Sequence, residues 1–222
     1  YIIIYTLNTI LQQNNETIAQ SRPSLTPIIK WSGGKRDELN NIISHIPTDI
    51  GIYIEPFVGG GAVYFHLNPQ SAVINDVHKE LTDFYQSIKN GHSGDIYNFM
   101  KEHPNEEETY YKVRSYDNKD MLDNAKRFYY LRKTCYRGML RYNKKGEFNI
   151  PFGRYKTCNF EDLKNKDYED LLKRTEVFNK SFENIFVLVF LGFMFIKTSR
   201  LDKQIAFKWF LYLFAAYPSL NA

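Results

Sequence analysis

Apolar positions along the chain fall into short blocks of two different periods. Leu39, Ile42, Ile43 and Ile46 recur at helical spacing within RDELNNIISHI, and Pro47 ends the run. Residues 51–57 (GIYIEPF) form a short continuous apolar stretch, which predicts a buried strand. The turn Val58-Gly59-Gly60-Gly61 follows, and then AVYFHL, which predicts a helix. Residues 71–77 (SAVINDV) predict a second buried strand, and 78–89 an amphipathic helix. Strand, glycine turn, helix, strand and helix in that order predict an α/β fold with a doubly wound parallel sheet.

The rest of the chain divides around this unit. Residues 1–26 read as a polar lead-in: 6–26 carry no period and end in SRPSLTP, and the apolar IIIY at 2–5 is short. The α/β unit occupies 27–90. From 91 to about 108 the chain is polar and acidic, then basic and helical to about Leu140. Residues 141–156 (RYNKKGEFNIPFGRYK) predict a hairpin turning at 143–146, so 91–160 reads as an insertion. In the remainder, 161–222, a helix is expected over 160–174 and a strand within 175–190. Two apolar runs, 185–196 and 205–216, fall short of the roughly 20 residues of a spanning helix. They read as buried strand and buried helix, with a membrane- or partner-docking hairpin as the alternative.

Charge changes the picture more than composition does. The net charge is +4, but residues 126–156 hold ten Lys/Arg against one acid, Glu147, a local +9 that leaves −5 elsewhere. An acidic body with one concentrated basic segment points to a polyanion met by one surface. Two cysteines, Cys135 and Cys158, are too few for a disulfide framework, and IIIY lacks the basic lead and small-residue cleavage site of a signal peptide. A reducing, cytoplasmic location is expected. The 43% hydrophobic, 24% charged composition excludes collagen-like, coiled-coil and wholly disordered chains.

Three groups of residues carry candidate chemistry. Gly59 to Gly61 leave a strand, so backbone can approach a ligand closely, and Asp76 ends the next strand where it can accept from ribose hydroxyls. Such loops bind NAD, FAD, nucleotides or S-adenosylmethionine, and some are only tight turns; the spacing is not GxGxxG, which counts against a dinucleotide. Lys30-Trp31-Ser32-Gly33-Gly34-Lys35 is not a phosphate-binding Walker loop. Trp31 could face a ligand or fill the core, and Lys35 could meet a carboxylate or phosphate or stay solvated. In the hairpin, Tyr136, Arg137, Arg141, Tyr142, Asn143, Arg154 and Tyr155 interleave cations with aromatics. Cations neutralise phosphates, and Arg and Asn read base edges in a major groove that admits a two-stranded ribbon.

IIKWSGGK (28–35), IEPFVGGGAVYF (54–65), INDVHKELTDFYQSIK (74–89) and RYNKKGEFNIPFGRYK (141–156) together resemble the Dam-type, D12-class DNA adenine-N6 methyltransferases over roughly residues 27–184. The resemblance implies a Rossmann-like domain dependent on S-adenosylmethionine, with a helical and β-hairpin insertion that recognises double-stranded DNA, and no metal. It makes Trp31 and Lys35 cofactor residues, wraps Phe57, Gly59 and Gly61 around the methionine end and sets Asp76 on the ribose. On the DNA side it brings Lys30 to a base, Arg141 to a guanine, and Met139 and Pro151 to a thymine methyl. Tyr136 would insert beside an extruded adenine, and Arg154 and Tyr155 would touch the DNA backbone. GATC is the expected target. Arg137 departs from the family, which often has Asn there.

The family presents the target amine to the methyl donor with an Asp-Pro-Pro-Tyr motif, and no two of the eight prolines here are adjacent. That chemistry calls for no cysteine nucleophile, so Cys135 and Cys158 are left as packing residues. After SFENIF (181–186) the text becomes VLVFLGFMFIKTSRL; 187–191 resembles the expected strand, and Gly192-Phe193-Met194 stands where the acid and prolines belong. No catalytic residue is identified, and low activity is expected. A frameshifted or truncated reading and a true loss of catalysis, leaving a DNA-binding module, both fit.

Overall fold

The computed structural model describes residues 3–5, 22–46, 50–117 and 120–187. Four strands form one sheet in the order β1 (Ile3–Tyr5), β2 (Ile52–Glu55), β3 (Ala72–Asn75), β4 (Thr175–Phe178). β2, β3 and β4 are parallel, with Ile54 opposite Val73 and Val73 opposite Glu176; β1 joins the outer edge of β2 antiparallel. Every residue of β2 and β3 is buried. That is the physical reason they read as continuous apolar runs: a parallel strand covered on both faces has no solvent side to alternate with.

The helices are α1 (Leu39–Ile43), α2 (Ala62–Leu67), α3 (Lys79–Lys89), α4 (Ser93–Glu102), α5 (Glu107–Arg114), α6 (Met121–Thr134) and α7 (Lys166–Lys173). α3 packs against both α6 and α7, so the helix after β3 joins the sheet to the helices that follow it. Phe84 of α3 stacks on Tyr129 of α6 with ring centroids 5.0 Å apart. The result is a mixed α/β fold.

Several sequence expectations are corrected. The lead-in is not loose throughout: Ile3–Tyr5 pair with β2, whose edge groups would otherwise lack partners. Residues 22–29 run along the core, with Leu25 buried and its N–H donating to the Phe65 carbonyl at 3.1 Å. The polar stretch after 91 contains α4, anchored by Ile96 and Met100 one turn apart. The helix expected over 160–174 is interrupted: a 3-10 turn at Glu161–Lys164 precedes α7, and the Asn165 side chain caps α7 by accepting the Asp167 N–H at 2.9 Å. The strand within 175–190 is only four residues long, and 182–187 are helical, so Val187 is not in a strand. The rest of both C-terminal apolar runs lies outside the described residues. Among those described, no helix is long and apolar enough to cross a membrane.

Candidate functional site

The glycine turn after β2 is fastened to the end of β3. Asp76 is buried; its Oδ2 accepts the Gly59 N–H at 3.0 Å and its Oδ1 the His78 N–H at 2.9 Å. The Tyr85 hydroxyl donates to the Gly59 carbonyl at 2.7 Å. Gly59 and Gly61 have φ of 48° and 70°, a region that penalises any Cβ. A Cβ on Gly59 would also stand 2.7 Å from the Trp31 ring. The indole therefore lies against the turn, and Trp31, Gly59 and Asp76 come together. Gly61 is the N-cap of α2, and Phe57 is half exposed with its ring 5.2 Å from Phe182. Lys35 is exposed, its ammonium 3.5 Å from Glu38. The glycines of the turn are buried, and Trp31 and Phe65 occupy the space a Cβ would take at Gly59 and Gly61, so they let the chain pack tightly on itself beside the Asp76 carboxylate.

Sequence reasoning missed Glu55 at the end of β2. Its carboxyl is buried and accepts from the Tyr53 hydroxyl at 2.7 Å. Burial pushes its pKa up to about 8, against the lowering effect of the Tyr53 hydrogen bond and with a smaller push upward from Asp76. The available signal was an acid inside an otherwise apolar strand.

On the insertion, α6 ends in a 3-10 turn, Tyr136–Gly138, that holds Arg137 at a φ of 55°. The Tyr136 N–H donates to the Pro151 carbonyl at 2.9 Å, which ties this turn to the returning arm of the hairpin. Tyr136, Met139, Pro151 and Tyr155 are all exposed, and the Arg137 guanidinium lies 5.6 Å from the Tyr136 ring centroid. The hairpin arms meet in isolated bridges, Tyr142 with Phe148 and Cys135 with Phe152, rather than in regular strands. Asn143 builds the turn: its Oδ1 accepts the Lys145 and Glu147 N–H groups, and its Nδ2 donates to the Glu147 carboxylate at 2.7 Å. Arg141 is held across the hairpin by Asn149, Nε to Oδ1 at 2.8 Å and Nη2 to the carbonyl at 3.1 Å. Arg154, at a φ of 53°, lies 3.7 Å from Glu107.

Between these two regions is a pocket of about 270 Å³ whose lining includes Lys30, Arg132, Lys133, Tyr155 and Asn159 and no carboxylate. Arg132 is 4% exposed. Its Nη2 donates to the Lys30 carbonyl, its guanidinium lies 5.3 Å from the Trp31 ring centroid, and among the described residues its Nε and Nη1 have no hydrogen-bond partner. Burial lowers the pKa of both Arg132 and Lys133. Unsatisfied buried donors on a cation are costly, and an anion in the pocket would relieve that cost. Nothing in the sequence singled out Arg132. The thiol of Cys135 is buried, and burial pushes its pKa up to about 11, so it serves packing rather than nucleophilic chemistry. Among the described residues no group of three His, Cys, Asp or Glu side chains could hold a metal.

Comparison with known proteins decides the family. The model of the D12 class N6 adenine-specific DNA methyltransferases matches residues 31–193. The chain belongs to that class. It is 56% identical over 164 residues to the Type II methyltransferase M.CviBI of Paramecium bursaria Chlorella virus NC1A, covering 73% of this chain and 63% of that one. It is 38% identical over 184 residues to the Type II methyltransferase M.MjaIII of Methanocaldococcus jannaschii, covering 71% and 62%. A DNA adenine methylase of Serratia marcescens is 33% identical over 139 residues, covering 60% and 51%. The D12-class chain thus spans less than two thirds of the length of these curated relatives.

Proposed function

We propose that this D12-class chain holds S-adenosylmethionine and double-stranded DNA as an adenine-N6 methyltransferase, with GATC as the first candidate site, and that its own turnover is very low. One observation carries the reading. Two unlike sites meet at adjacent residues: Trp31 lies on the glycine turn beside Asp76, while Lys30 lines the cationic pocket with Arg132 and Lys133. A methyl donor and a polyanionic acceptor need such neighbouring sites.

In this reading Asp76 accepts from the ribose, Gly59 and Gly61 let backbone approach the methionine end, Trp31 and Phe57 offer faces, and Lys35 offers an ammonium. When bound, the sulfonium cofactor supplies an electrophilic methyl group. Lys30 and Arg141 meet bases, with Met139 and Pro151 against a thymine methyl and Tyr136 beside the extruded adenine. Arg154 and Tyr155 meet the backbone, Arg137 stands beside Tyr136 on the DNA side where the family often has Asn, and Asn143 shapes the turn that presents them. The three parallel strands are then part of a doubly wound, Rossmann-like sheet, with the target-recognition insertion over 91–160 and cytoplasmic DNA as partner. Low turnover follows from the missing Asp-Pro-Pro-Tyr. Losing even one preorganised hydrogen-bonding group costs ~10²–10³ in rate.

The test is radiolabelled methyl transfer to a GATC duplex, with filter binding in parallel. Controls are the N6-methylated duplex and duplexes whose central pair of bases is changed or spaced. Salt-sensitive binding with little transfer is expected. Rapid transfer would overturn the low-turnover reading, preference for a spaced duplex would move the target, and absence of both binding and transfer would overturn the whole assignment.

A further inference from the structure

His78 is shared by the cofactor side and the DNA side. It caps α3, its Nδ1 accepting the Leu81 N–H at 3.4 Å. A backbone N–H only donates, so Nδ1 carries no proton and the neutral ring has its proton on Nε2. Nε2 faces the Tyr142 hydroxyl at 3.0 Å, and that hydroxyl donates onward to the Glu80 carboxylate. Glu80 then accepts from the Arg127 guanidinium at 3.1 Å, and Arg127 also donates to the Arg114 carbonyl at 2.8 Å. Each proton along this line has one direction.

The line begins at the candidate cofactor residues. The His78 N–H is the donor to Asp76 Oδ1, and the Trp31 ring stands edge-on to the imidazole at 5.5 Å. It ends in the insertion, where Tyr142 belongs to the hairpin and Arg127 to α6, beside Phe128, whose ring is 5.6 Å from His78. The groups facing the imidazole are Glu80 and Asp76, which favour its charged form, and Arg132, which opposes it; burial outweighs the acids and keeps the ring neutral. Protonation would place a proton on Nδ1 against the Leu81 N–H and break the cap.

We infer that His78 is a positioning residue that couples occupancy at Asp76 to the seating of the recognition hairpin through Tyr142. This rests on the function proposed above. A ligand that draws on the Asp76 carboxylate alters its hold on the His78 backbone, and the imidazole transmits the change to the Tyr142 hydroxyl. Coupling of this kind is reciprocal: duplex DNA must tighten the cofactor by the factor by which cofactor tightens DNA.

The experiment measures S-adenosylhomocysteine affinity by calorimetry, with and without saturating GATC duplex. The parent chain, His78→Asn, Tyr142→Phe and the double variant are compared. Asn retains an N-cap acceptor but not the reach of Nε2; Phe removes one hydroxyl. The parent is expected to show coupling of ~5-fold or more, and each single variant below ~2-fold. The double variant should be no worse than either single one. A merely structural role would shift the melting temperature and both affinities while leaving their coupling intact. Unchanged coupling in Tyr142→Phe overturns the inference even if His78→Asn folds poorly, and so do losses that multiply in the double variant. A parent that binds both ligands without coupling overturns this inference alone, whereas a parent that binds neither overturns the function on which it rests.

Discussion

Asp76 reaches back across 17 residues to hold the Gly59 N–H at 3.0 Å, so the carboxylate just past one strand fixes the turn that leaves its neighbour. Asp76→Ala should therefore act twice. Cofactor affinity should fall at least ~10-fold, from the ~1.5–3 kcal/mol contributed by a hydrogen bond to a charged group. The melting temperature should fall as well, because the Gly59 and His78 N–H groups lose their acceptor. Calorimetric titration and a thermal melt on one preparation read both.

Gly59→Ala should destabilise by about 1–3 kcal/mol, since the position is left-handed and a Cβ would meet the Trp31 ring. A matched Gly94→Ala change, in α4 with open space around it, should leave the melt unchanged or slightly raised. Equal losses in the two variants would show that the turn is not constrained.

Glu55 makes stability fall as pH rises. Its folded pKa, about 8, lies above the 4.5 of a free glutamate, so the folded state binds the extra proton. Its contribution is fully present below about 4.5 and is lost as pH rises through about 8. Glu55→Gln keeps an acceptor for Tyr53 and should flatten this fall, with its advantage over the parent growing between pH 5 and 8. Denaturant unfolding across that range checks it; a constant difference between the two chains would refute the assignment.

Arg137 occupies a left-handed backbone position that Asn or Gly adopts more readily. Arg137→Asn should raise stability by roughly 0.5–1 kcal/mol while weakening duplex binding. Melts and filter binding should therefore move in opposite directions.

Lys133→Gln should lower the slope of log affinity against log salt by ~1 if the pocket it lines receives a DNA phosphate. The same change at Lys126, a basic helix position absent from the pocket lining, is the comparison.

What the sequence made legible was what depends on neighbours along the chain. β2, β3, α2 and α3 were readable because burial on a regular element leaves a short period, and the hairpin turn because Asn143 and Gly146 are local turn chemistry. α4 was hidden because its apolar residues, Ile96, Tyr97, Phe99 and Met100, are confined to little more than one turn, too short a run to show a helical period within a polar stretch. β1 was hidden because three residues have no period and the partner strand lies about fifty positions away. Arg132 and the His78–Tyr142 pair were invisible for the same reason. Arg132 meets Lys30 across 102 positions and His78 meets Tyr142 across 64. No local pattern encodes either meeting.

The strand neighbours β3 and β4 have a consequence for how the molecule can be divided. Ala72 lies opposite Thr175, and helices α3 to α7 all sit on the chain between them. Pairing β3 with β4 closes a long loop, and contacts so distant in sequence tend to slow folding. A cut that frees residues 27–90 would leave β3 with a bare edge, and a cut that frees the insertion would strip α6 from α3. The segment between β3 and β4 is nested within the sheet rather than strung after it, so damage to one part should be felt in the other.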